Sequence, residues 1–379
     1  MIKRIIISLL VFGMMFAAVT PMQHFVDASA VSDSAVASIL MDAKTGMVLH
    51  AKNEAKQLPM ASTTKIMTAL LALEYENLDE EFIITKEMVQ VGGSSMYLLE
   101  GDRVSMRTLV YGMLLNSGND AANAAAIIIA GSTEAFVQMM NDRAQSLGLK
   151  NTHFVNPEGL DTEGHYSSAY DLAILGAHAM QNEEFVEICS TGVTTREYGN
   201  PPYTRYLTNH NKLVRYNQIV GVNGIKTGFT DNAGRCLVSS VVQNNVHLIC
   251  VTLNDPNDWA DHKNLYTYGF AQYTDFTPDT DLGDVTLPIV GGNLQTIDIY
   301  SQSQQTVKIL STLHNNVERN IRLPLFAYAP IGKGEQVGEI EYLYEDTVVA
   351  SIPIFAAEST TAQTTGWFSD LAAAIAAAE

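Results

Sequence analysis

The first two thirds of the chain alternate between strand-like and helical hydrophobic patterns. Short apolar runs at 36–41 and 47–51 flank an Asp-Ala-Lys-Thr-Gly segment, which predicts a β-hairpin with a glycine turn. The stretch that begins at Ser62 is apolar at helical spacing and predicts a helix. Further helical patterns cover the segments 107–115, 121–130, 132–148 and 168–180.

Strand patterns return in the next part of the chain and end in one more helical pattern. The strand-like segments are 224–226, 235–243 and 246–253, and the helical segment is 262–272. A two-residue turn at Asn244-Asn245 would pair Gln243 with Val246 and Ser239 with Cys250. Strands at the start, helices in the middle and strands afterwards are typical of an α+β fold with helices packed on a sheet.

A change in composition at 277–281 marks the predicted end of a first domain that covers residues 31–276. Beyond it, short β-like runs separated by turns predict a small all-β domain at 282–356. The runs are 284–290, 296–300, 306–310, 317–323, 335–342 and 347–355. This second domain holds no cluster of catalytic residue types, so we expect it to act in spacing or docking.

The last predicted segment, 357–379, begins as a polar, threonine-rich linker. Trp367, Phe368, Leu371 and Ile375 then recur at helical spacing. One interpretation is a short interfacial helix that makes peripheral contact with a membrane. The other is a frayed tail. The segment has no lysine or arginine to attract anionic lipid, and both interpretations stay open.

Residues 1–30 have the pattern of a secretory signal peptide. Lys3 and Arg4 precede an apolar run at 5–19, and Ala28-Ser29-Ala30 fits a small-residue cleavage site. An uncleaved membrane anchor is the alternative, although the apolar run is shorter than a usual membrane span. We therefore expect an exported, extracytoplasmic protein.

Charge and cysteine content exclude two classes of protein. The formal net charge of −19 argues against nucleic acid as a partner. The three cysteines are an odd number, so at least one is unpaired and the chain has no disulfide framework. On the predicted hairpin register Cys236 lies opposite Leu253 rather than Cys250, so we predict no bridge between those two cysteines.

Ser62 and Lys65 are the first candidate catalytic pair. Residues three apart on a helix are neighbours, so the Lys65 amine lies within reach of the Ser62 hydroxyl. A serine becomes a nucleophile when a nearby base takes its proton. The positive potential at the helix N-terminus disfavours a charged lysine there and favours an oxyanion.

Two further motifs follow in order. Ser117-Gly118-Asn119 separates two predicted helices, where such residues are also expected in an ordinary turn. Lys-Thr-Gly occurs twice, at Lys44-Thr45-Gly46 and at Lys226-Thr227-Gly228. Only the second copy follows the other motifs, in the order typical of penicillin-recognising serine enzymes. The first copy is therefore predicted to be incidental.

The residues around these motifs carry a specific family resemblance. The segments 59–68, 114–122, 152–161 and 224–230 closely resemble the serine D-alanyl-D-alanine carboxypeptidases, the low-molecular-weight penicillin-binding proteins. The resemblance covers the first domain and continues more loosely through the β domain. It implies an antiparallel sheet flanked by helices with an all-helical subregion, followed by the small all-β domain.

The resemblance also implies a reaction and its catalytic residues. The substrate would be a peptidoglycan stem peptide ending in D-Ala-D-Ala, and the location the cell wall or the outer face of the cytoplasmic membrane. Ser62 would attack the carbonyl of the penultimate D-Ala, and water would hydrolyse the acyl-enzyme. Lys65 would be the general base, with its pKa lowered by repulsion from Lys226. Ser117 would relay a proton to the leaving amine.

Substrate-binding roles follow from the same resemblance. Asn119 would hold Lys65 or the substrate amide, and Lys226 with Thr227 would bind the terminal carboxylate. Gly228 would let the substrate strand lie close to the protein strand. The backbone N–H groups of Ser62 and Phe229 would form the oxyanion hole. β-Lactam antibiotics are expected as inhibitors, and no cofactor is expected.

Two positions depart from the family pattern. His210 stands where some family members carry an arginine near the carboxylate, so carboxylate binding is expected to rest on Lys226 and Thr227; a plain surface histidine is the alternative. Glu158 stands where the family often has histidine. A deacylating glutamate, as in class A β-lactamases, is a second interpretation of Glu158, against which the surrounding carboxypeptidase-like residues argue.

Other chemistries lack support in the sequence. There is no His-Glu-x-x-His motif, and the nine histidines show no ligand spacing, so no metal site is predicted. Three alternatives to a carboxypeptidase stay open: a β-lactamase, a transpeptidase and a non-catalytic wall-binding protein. Release of D-Ala from a D-Ala-D-Ala peptide, and the lifetime of a penicilloyl-enzyme, would separate them.

Overall fold

The computed structural model describes residues 31–302 and 306–363. The predicted signal peptide at 1–30 and the apolar positions Trp367, Phe368, Leu371 and Ile375 lie outside the described residues. Among the described helices, none combines the length and the apolar character that crossing a lipid bilayer requires.

Secondary structure in the first domain follows the predicted order of strands, helices and strands. The first half contains β1 (Ala37–Asp42), β2 (Val48–Lys52), α1 (Lys65–Leu73), β3 (Glu81–Ile83), β4 (Arg103–Ser105), α2 (Met106–Leu115), α3 (Asn119–Ala130) and α4 (Thr133–Ser146). The second half contains α5 (Ala169–Ala179), α6 (Glu183–Ser190), β5 (Val193–Gly199), β6 (Pro202–Thr208), α7 (Lys212–Arg215), β7 (Val222–Thr230), β8 (Gly234–Gln243), β9 (Val246–Leu253) and α8 (Asp258–Ala271).

A five-stranded antiparallel sheet is the frame of this domain, with strand order β2-β1-β9-β8-β7. The predicted turn at Asn244-Asn245 is confirmed, because Gln243 pairs with Val246 and Ser239 with Cys250. Cys236 lies opposite Leu253 as predicted. All three cysteines are buried and free.

The sheet is covered on both faces. Successive side chains of a strand point to opposite faces, so Ile39 and Leu40 of β1 belong to two different apolar clusters. The larger cluster joins one face to α1, α2, α3 and α5, and these helices pack against one another as an all-helical subregion. The smaller cluster contains Leu265 and Tyr266 of α8 on the other face. The predicted fold class is therefore confirmed.

Several elements differ from the sequence predictions. The β5–β6 hairpin and α6 were not predicted, and β7 is longer than the expected 224–226. The outer positions of β5 and β6 are polar, so the apolar signal is weak, although Asn200-Pro201 marks the turn. Helix α8 begins at Asp258, four residues before the predicted start at 262, with Asp258 and Asp261 in its first turn.

The rest of the described chain is β-rich. It contains β10 (Tyr273–Phe276), β11 (Thr286–Val290), β12 (Thr296–Ser301), β13 (Val307–Leu310), β14 (Glu318–Arg322), β15 (Ala327–Tyr328), β16 (Gln336–Tyr344) and β17 (Thr347–Ala356). Six of these strands form one sheet in the order β14-β16-β17-β12-β11-β15, and β10 pairs with β13.

Two details bear on the predicted domain limits. Strand β10 precedes the predicted boundary at 277–281, yet it pairs with β13 of the following domain. Thr360 and Ala362 lie in the predicted linker but form bridges with Ile331 and Gly292. The N–H of Gln363 also donates to Gly291 O. The described part of the predicted linker, as far as Gln363, is therefore bound to the β domain by backbone hydrogen bonds.

Candidate active site

Ser62 lies in a short 3₁₀ turn, Ala61–Thr64, that runs directly into α1. Because the 3₁₀ turn continues into α1, Ser62 and Lys65 lie three residues apart on one continuous helical segment, as the sequence predicts. The Nζ of Lys65 is 3.0 Å from Ser62 Oγ. The nucleophile and its candidate base are therefore in hydrogen-bond contact.

The Lys65 amine is fully buried and has three oxygen neighbours. Besides Ser62 Oγ, these are Asn119 Oδ1 at 2.7 Å and the backbone carbonyl oxygen of Glu158 at 2.6 Å. Burial lowers the pKa of Lys65 to about 7, although the negative charges of Glu158 and Asp120 oppose the shift. The expected cause was repulsion from Lys226. The loss of water around the amine is the larger effect, because a buried ammonium loses its hydration.

Ser117 and Asn119 lie at the turn between α2 and α3. Asn119 accepts a hydrogen bond from Lys65 through Oδ1, and its Nδ2 donates to Gly92 O at 2.6 Å. Ser117 is buried and has a φ of +58°, in the left-handed region that non-glycine residues seldom adopt. Such strain is common at functional sites, where it aims one side chain. The Ser117 hydroxyl makes no hydrogen bond to Lys65 or Lys226 in this structure.

Strand β7 carries the second Lys-Thr-Gly motif. Lys226 is buried, and its Nζ donates to Thr227 O at 2.9 Å. Burial, followed by the positive charge of Lys65, lowers the pKa of Lys226 well below its usual value. A carboxylate beside this amine would oppose both effects and favour the charged ammonium. The pair Lys226 and Thr227 thus has the chemistry of an anion site.

Gly228 allows β7 to pass close to the turn that holds Ser62. A Cβ atom at this position would lie 2.9 Å from Met60 O and 3.2 Å from Ser62 N. The structure gives the glycine a second role beside the expected approach of the substrate, because it brings protein strand and nucleophile together. The next residue, Phe229, has a side chain that is 63 % exposed.

The loop 156–161 was predicted as a turn, but its contacts with the site were not. Asn156 closes the loop on itself by accepting from the N–H groups of Gly159 and Leu160. The loop reaches α1 through Pro157 O, which accepts from Thr68 Oγ1 at 2.7 Å, and through Glu158 O. These are backbone acceptors, which leave no signature in a sequence. The match of 152–161 to the family pattern was the one available signal.

Asp120 is another residue beside the site whose contacts sequence reasoning missed. Its buried carboxylate accepts hydrogen bonds from Ser95 Oγ and from the N–H groups of Met96 and Leu98. The segment 94–98 in turn contacts Asn119, whose N–H donates to Ser94 O. An acid in the first turn of α3 was the available sequence signal.

The two departures from the family pattern have different surroundings. His210 is exposed, and partial desolvation together with the charges of Lys226, Arg215 and Lys65 lowers its pKa. Glu158 is only 5 % exposed, and burial raises its pKa. The Glu158 carboxyl forms no hydrogen bond with Ser62 or Lys65, and only the Glu158 backbone carbonyl contacts the catalytic amine.

Comparison with known proteins identifies the family of both domains. Residues 24–257 match the family model described as D-alanyl-D-alanine carboxypeptidase, and residues 280–362 match the penicillin-binding protein 5 C-terminal domain. The D-alanyl-D-alanine carboxypeptidase DacF of Bacillus subtilis is 32 % identical over 94 % of this chain and 94 % of its own. DacD of Escherichia coli is 33 % identical over 85 % of each chain.

Solved structures agree with the sequence relatives. Penicillin-binding protein 5 of Haemophilus influenzae superposes with a TM-score of 0.63 at 29 % identity, covering 87 % of this chain and 98 % of its own. The Streptomyces K15 DD-transpeptidase superposes with a TM-score of 0.60 at 32 % identity, covering 64 % of this chain and 98 % of its own. The chain therefore belongs to the serine D-alanyl-D-alanine carboxypeptidase family of low-molecular-weight penicillin-binding proteins.

Proposed function

We propose that this serine peptidase removes the terminal D-Ala from peptidoglycan stem peptides through an acyl-enzyme on Ser62. The observation that carries the proposal is the set of three oxygens around Lys65 Nζ. A neutral amine has two N–H groups and one lone pair. Two of the three oxygens, Asn119 Oδ1 and Glu158 O, can only accept hydrogen bonds.

This donor count assigns the direction of the remaining contact. The two N–H groups of neutral Lys65 donate to Asn119 and Glu158, so the lone pair is left for the Ser62 hydroxyl. Ser62 then donates its proton to Lys65, as general-base catalysis requires. The pKa of about 7 supports this role, since a base works best when its pKa is near the working pH.

In the proposed reaction the proton that leaves Ser62 is returned to the leaving amine. Ser62 Oγ forms a bond to the carbonyl carbon of the penultimate D-Ala while its proton passes to Lys65. The C–N bond to the terminal D-Ala breaks, and the proton reaches the leaving amine with Ser117 as relay. The N–H groups of Ser62 and Phe229 stabilise the oxyanion. Water then adds to the ester and releases Ser62.

Recognition of the substrate terminus is assigned to β7. The terminal carboxylate is bound by Lys226 and Thr227, with the ammonium of Lys226 restored by the bound negative charge. A penicillin presents a carboxylate and a reactive carbonyl in the same relation, so it is expected to acylate Ser62. Export by the segment 1–30 and peripheral membrane contact by the tail belong to the same proposal, and they are consistent with a peptidoglycan substrate.

Release of D-Ala from a peptide ending in D-Ala-D-Ala tests the function. Wild type is expected to release D-Ala, and Ser62→Ala to release none above background. Ser146→Ala, on an exposed face of α4, is the matched control and should retain wild-type activity. No release from wild type, or equal release from Ser62→Ala, would contradict the proposal. Rapid turnover of penicillin would instead indicate a β-lactamase, and transfer of the acyl group to an added amine a transpeptidase.

A further inference from the structure

Tyr97 combines a strained backbone with an exposed aromatic ring. Its φ is +64°, in the left-handed region that a residue with a Cβ atom adopts only at a cost in free energy. The residue is 73 % exposed, so burial of the ring does not offset that cost. Glycine would adopt the same backbone conformation without strain. Because such strain is concentrated at functional sites, the ring itself is expected to have a use.

The backbone on both sides of Tyr97 is held by Asp120. The Asp120 carboxylate accepts hydrogen bonds from the N–H groups of Met96 and Leu98, each at 2.9 Å. Ser95 Oγ donates to the same carboxylate and accepts from the N–H of Tyr97. The side chains of Met96 and Leu98 are buried, and the Tyr97 ring between them projects outward. Buried contacts therefore impose the strained conformation and present the ring at the surface.

The β5–β6 hairpin supports the same loop from a second direction. Arg205 Nη1 donates to Tyr97 O at 2.6 Å. The Arg205 guanidinium lies 4.4 Å from the ring centroid of Tyr198 and 4.1 Å from that of Tyr203, within the range of cation–π contacts. Tyr198 OH also donates to Met96 O at 2.7 Å. The hairpin thus fixes the carbonyl side of the loop, as Asp120 fixes its N–H side.

Tyr97 lies on the side of the active site that Asn119 forms. The N–H of Asn119 donates to Ser94 O at 2.7 Å, and its Oδ1 accepts from Lys65. Ser94 and Tyr97 are three residues apart, which limits the distance between their Cα atoms to about 10 Å. The residues assigned to the terminal carboxylate are instead on β7, which meets the nucleophile turn through its own glycine. The ring and the proposed carboxylate site therefore belong to different walls.

We propose that the Tyr97 ring binds the substrate residue that precedes D-Ala-D-Ala, through the carbon chain of that residue's side chain. The inference rests on the proposed carboxypeptidase function and names a determinant of its substrate preference. The terminal D-Ala offers a methyl group and a carboxylate, and the carboxylate is assigned to β7. An aromatic ring gains most from a larger apolar partner, which the upstream residue supplies. A tyrosine already held in place loses little conformational freedom on binding.

Two peptides that differ by the upstream residue test the proposal. They are Nα-acetyl-D-Ala-D-Ala and Nα,Nε-diacetyl-L-Lys-D-Ala-D-Ala, and the measured quantity is the ratio of kcat/KM for D-Ala release, longer peptide over shorter. Wild type is expected to prefer the longer peptide by at least about tenfold. In Tyr97→Gly the ratio should fall by about tenfold, the effect of losing one aromatic contact. Tyr97→Phe keeps the ring and should keep the ratio.

The same variant separates binding from folding. Glycine adopts a positive φ without steric cost, so the melting temperature of Tyr97→Gly should not fall below that of wild type. The matched control is Tyr206, which is 76 % exposed. It follows Arg205 on β6, so its side chain points to the opposite face of the hairpin. Tyr206→Ala should leave the ratio at the wild-type value.

The outcomes distinguish this proposal from the function it rests on. D-Ala release by wild type with a ratio of about one would overturn the contact and leave the carboxypeptidase function intact. An unchanged ratio in Tyr97→Gly, or a loss in Tyr97→Phe as large as in Tyr97→Gly, would also overturn it. So would a lower melting temperature of Tyr97→Gly with equal losses on both peptides, since the ring would then be structural. No D-Ala release from either peptide by wild type would overturn the function and this proposal together.

Discussion

At the scale of single residues, the proposed mechanism depends on the protonation state of Lys65, which would take the proton of Ser62. The lysine is wholly buried, and its surroundings oppose one another: desolvation disfavours the ammonium, while Glu158 and Asp120 favour it. The balance lowers the pKa to about 7 rather than further. Of the two carboxylates that restrain the shift, that of Asp120 also accepts hydrogen bonds from the segment 94–98, so at this residue charge and geometry are linked.

The first prediction follows from this pKa. In the proposed mechanism Lys65 acts as a base only when neutral, and the neutral fraction is small below about pH 6, about half at pH 7 and nearly complete above about pH 8. The rate constant for acylation by a fluorescent penicillin should therefore rise by about tenfold per pH unit between pH 5 and 6 and level off above 7. A rate that rises only near the ordinary lysine pKa of 10.5, or that does not change with pH, would contradict the assignment.

At the scale of secondary-structure elements, the site is made where α1, β7 and the loop 156–161 meet. Two glycines permit the contact: a Cβ at Gly159 would lie 2.0 Å from Ala61 O, and one at Gly228 would lie 2.9 Å from Met60 O. The turn that holds Ser62 is therefore enclosed between the loop and the strand. Small displacements of either element would move the groups that surround the nucleophile.

The second prediction concerns the contact between β7 and this turn. In Gly228→Ala the added methyl group should push β7 away from Ser62, because the atoms that it would meet, Met60 O and Ser62 N, belong to the backbone and cannot move aside as a flexible side chain can. We expect acylation by penicillin to slow by about a hundredfold, as for a misplacement on the order of 1 Å. Gly332→Ala in the β domain has no close neighbour and serves as the control. An unchanged acylation rate in folded Gly228→Ala would show that the contact is not needed.

The third prediction concerns the attachment of the loop to α1. Thr68→Val keeps the shape of the side chain but removes the donor to Pro157 O, leaving a buried carbonyl unpaired. The free energy of unfolding in urea should fall by about 1–3 kcal/mol. Thr267 donates to Lys263 O on an exposed face of α8, so Thr267→Val should cost less than about 0.5 kcal/mol. Equal losses in the two variants would contradict this account.

Elements marked by turn residues, a clear apolar pattern or a motif could be predicted from the sequence. Elements that lack these signals could not be predicted. The β8–β9 register followed from one two-residue turn, since a hairpin turn fixes every later pair. Hairpin β5–β6 was missed because it exposes one polar face and rests on few apolar residues, such as Tyr198 and Leu207. Ser62, Lys65 and Asn119 were found through their motifs. The contact of the Glu158 carbonyl oxygen with Lys65 was not predicted, because every residue has a backbone carbonyl and such a contact leaves no sequence motif.

At the scale of the whole molecule, the two copies of Lys-Thr-Gly have separate uses. The first copy, at residues 44–46, forms the β1–β2 turn, where Asp42 accepts from the N–H groups of Lys44 and Thr45. The remaining oxygen of Asp42 accepts from Tyr273 OH at 2.5 Å, on the strand that pairs with the β domain. The incidental motif is thus part of the contact between the peptidase fold and the β domain.

The last prediction tests that contact. Tyr273→Phe removes the hydrogen bond to the buried Asp42 carboxylate, which then has one fewer donor. A hydrogen bond to a charged group contributes about 1.5–3 kcal/mol, so the melting temperature should fall by several degrees. Tyr328→Phe, at a position 68 % exposed, is the matched control and should melt like wild type.

Acylation of Ser62 should be retained, because the contact lies on the side of the sheet that α8 covers. Loss of acylation without loss of stability would mean that the β domain influences the active site directly, whereas equal melting of both variants would show that Tyr273 does not join the domains.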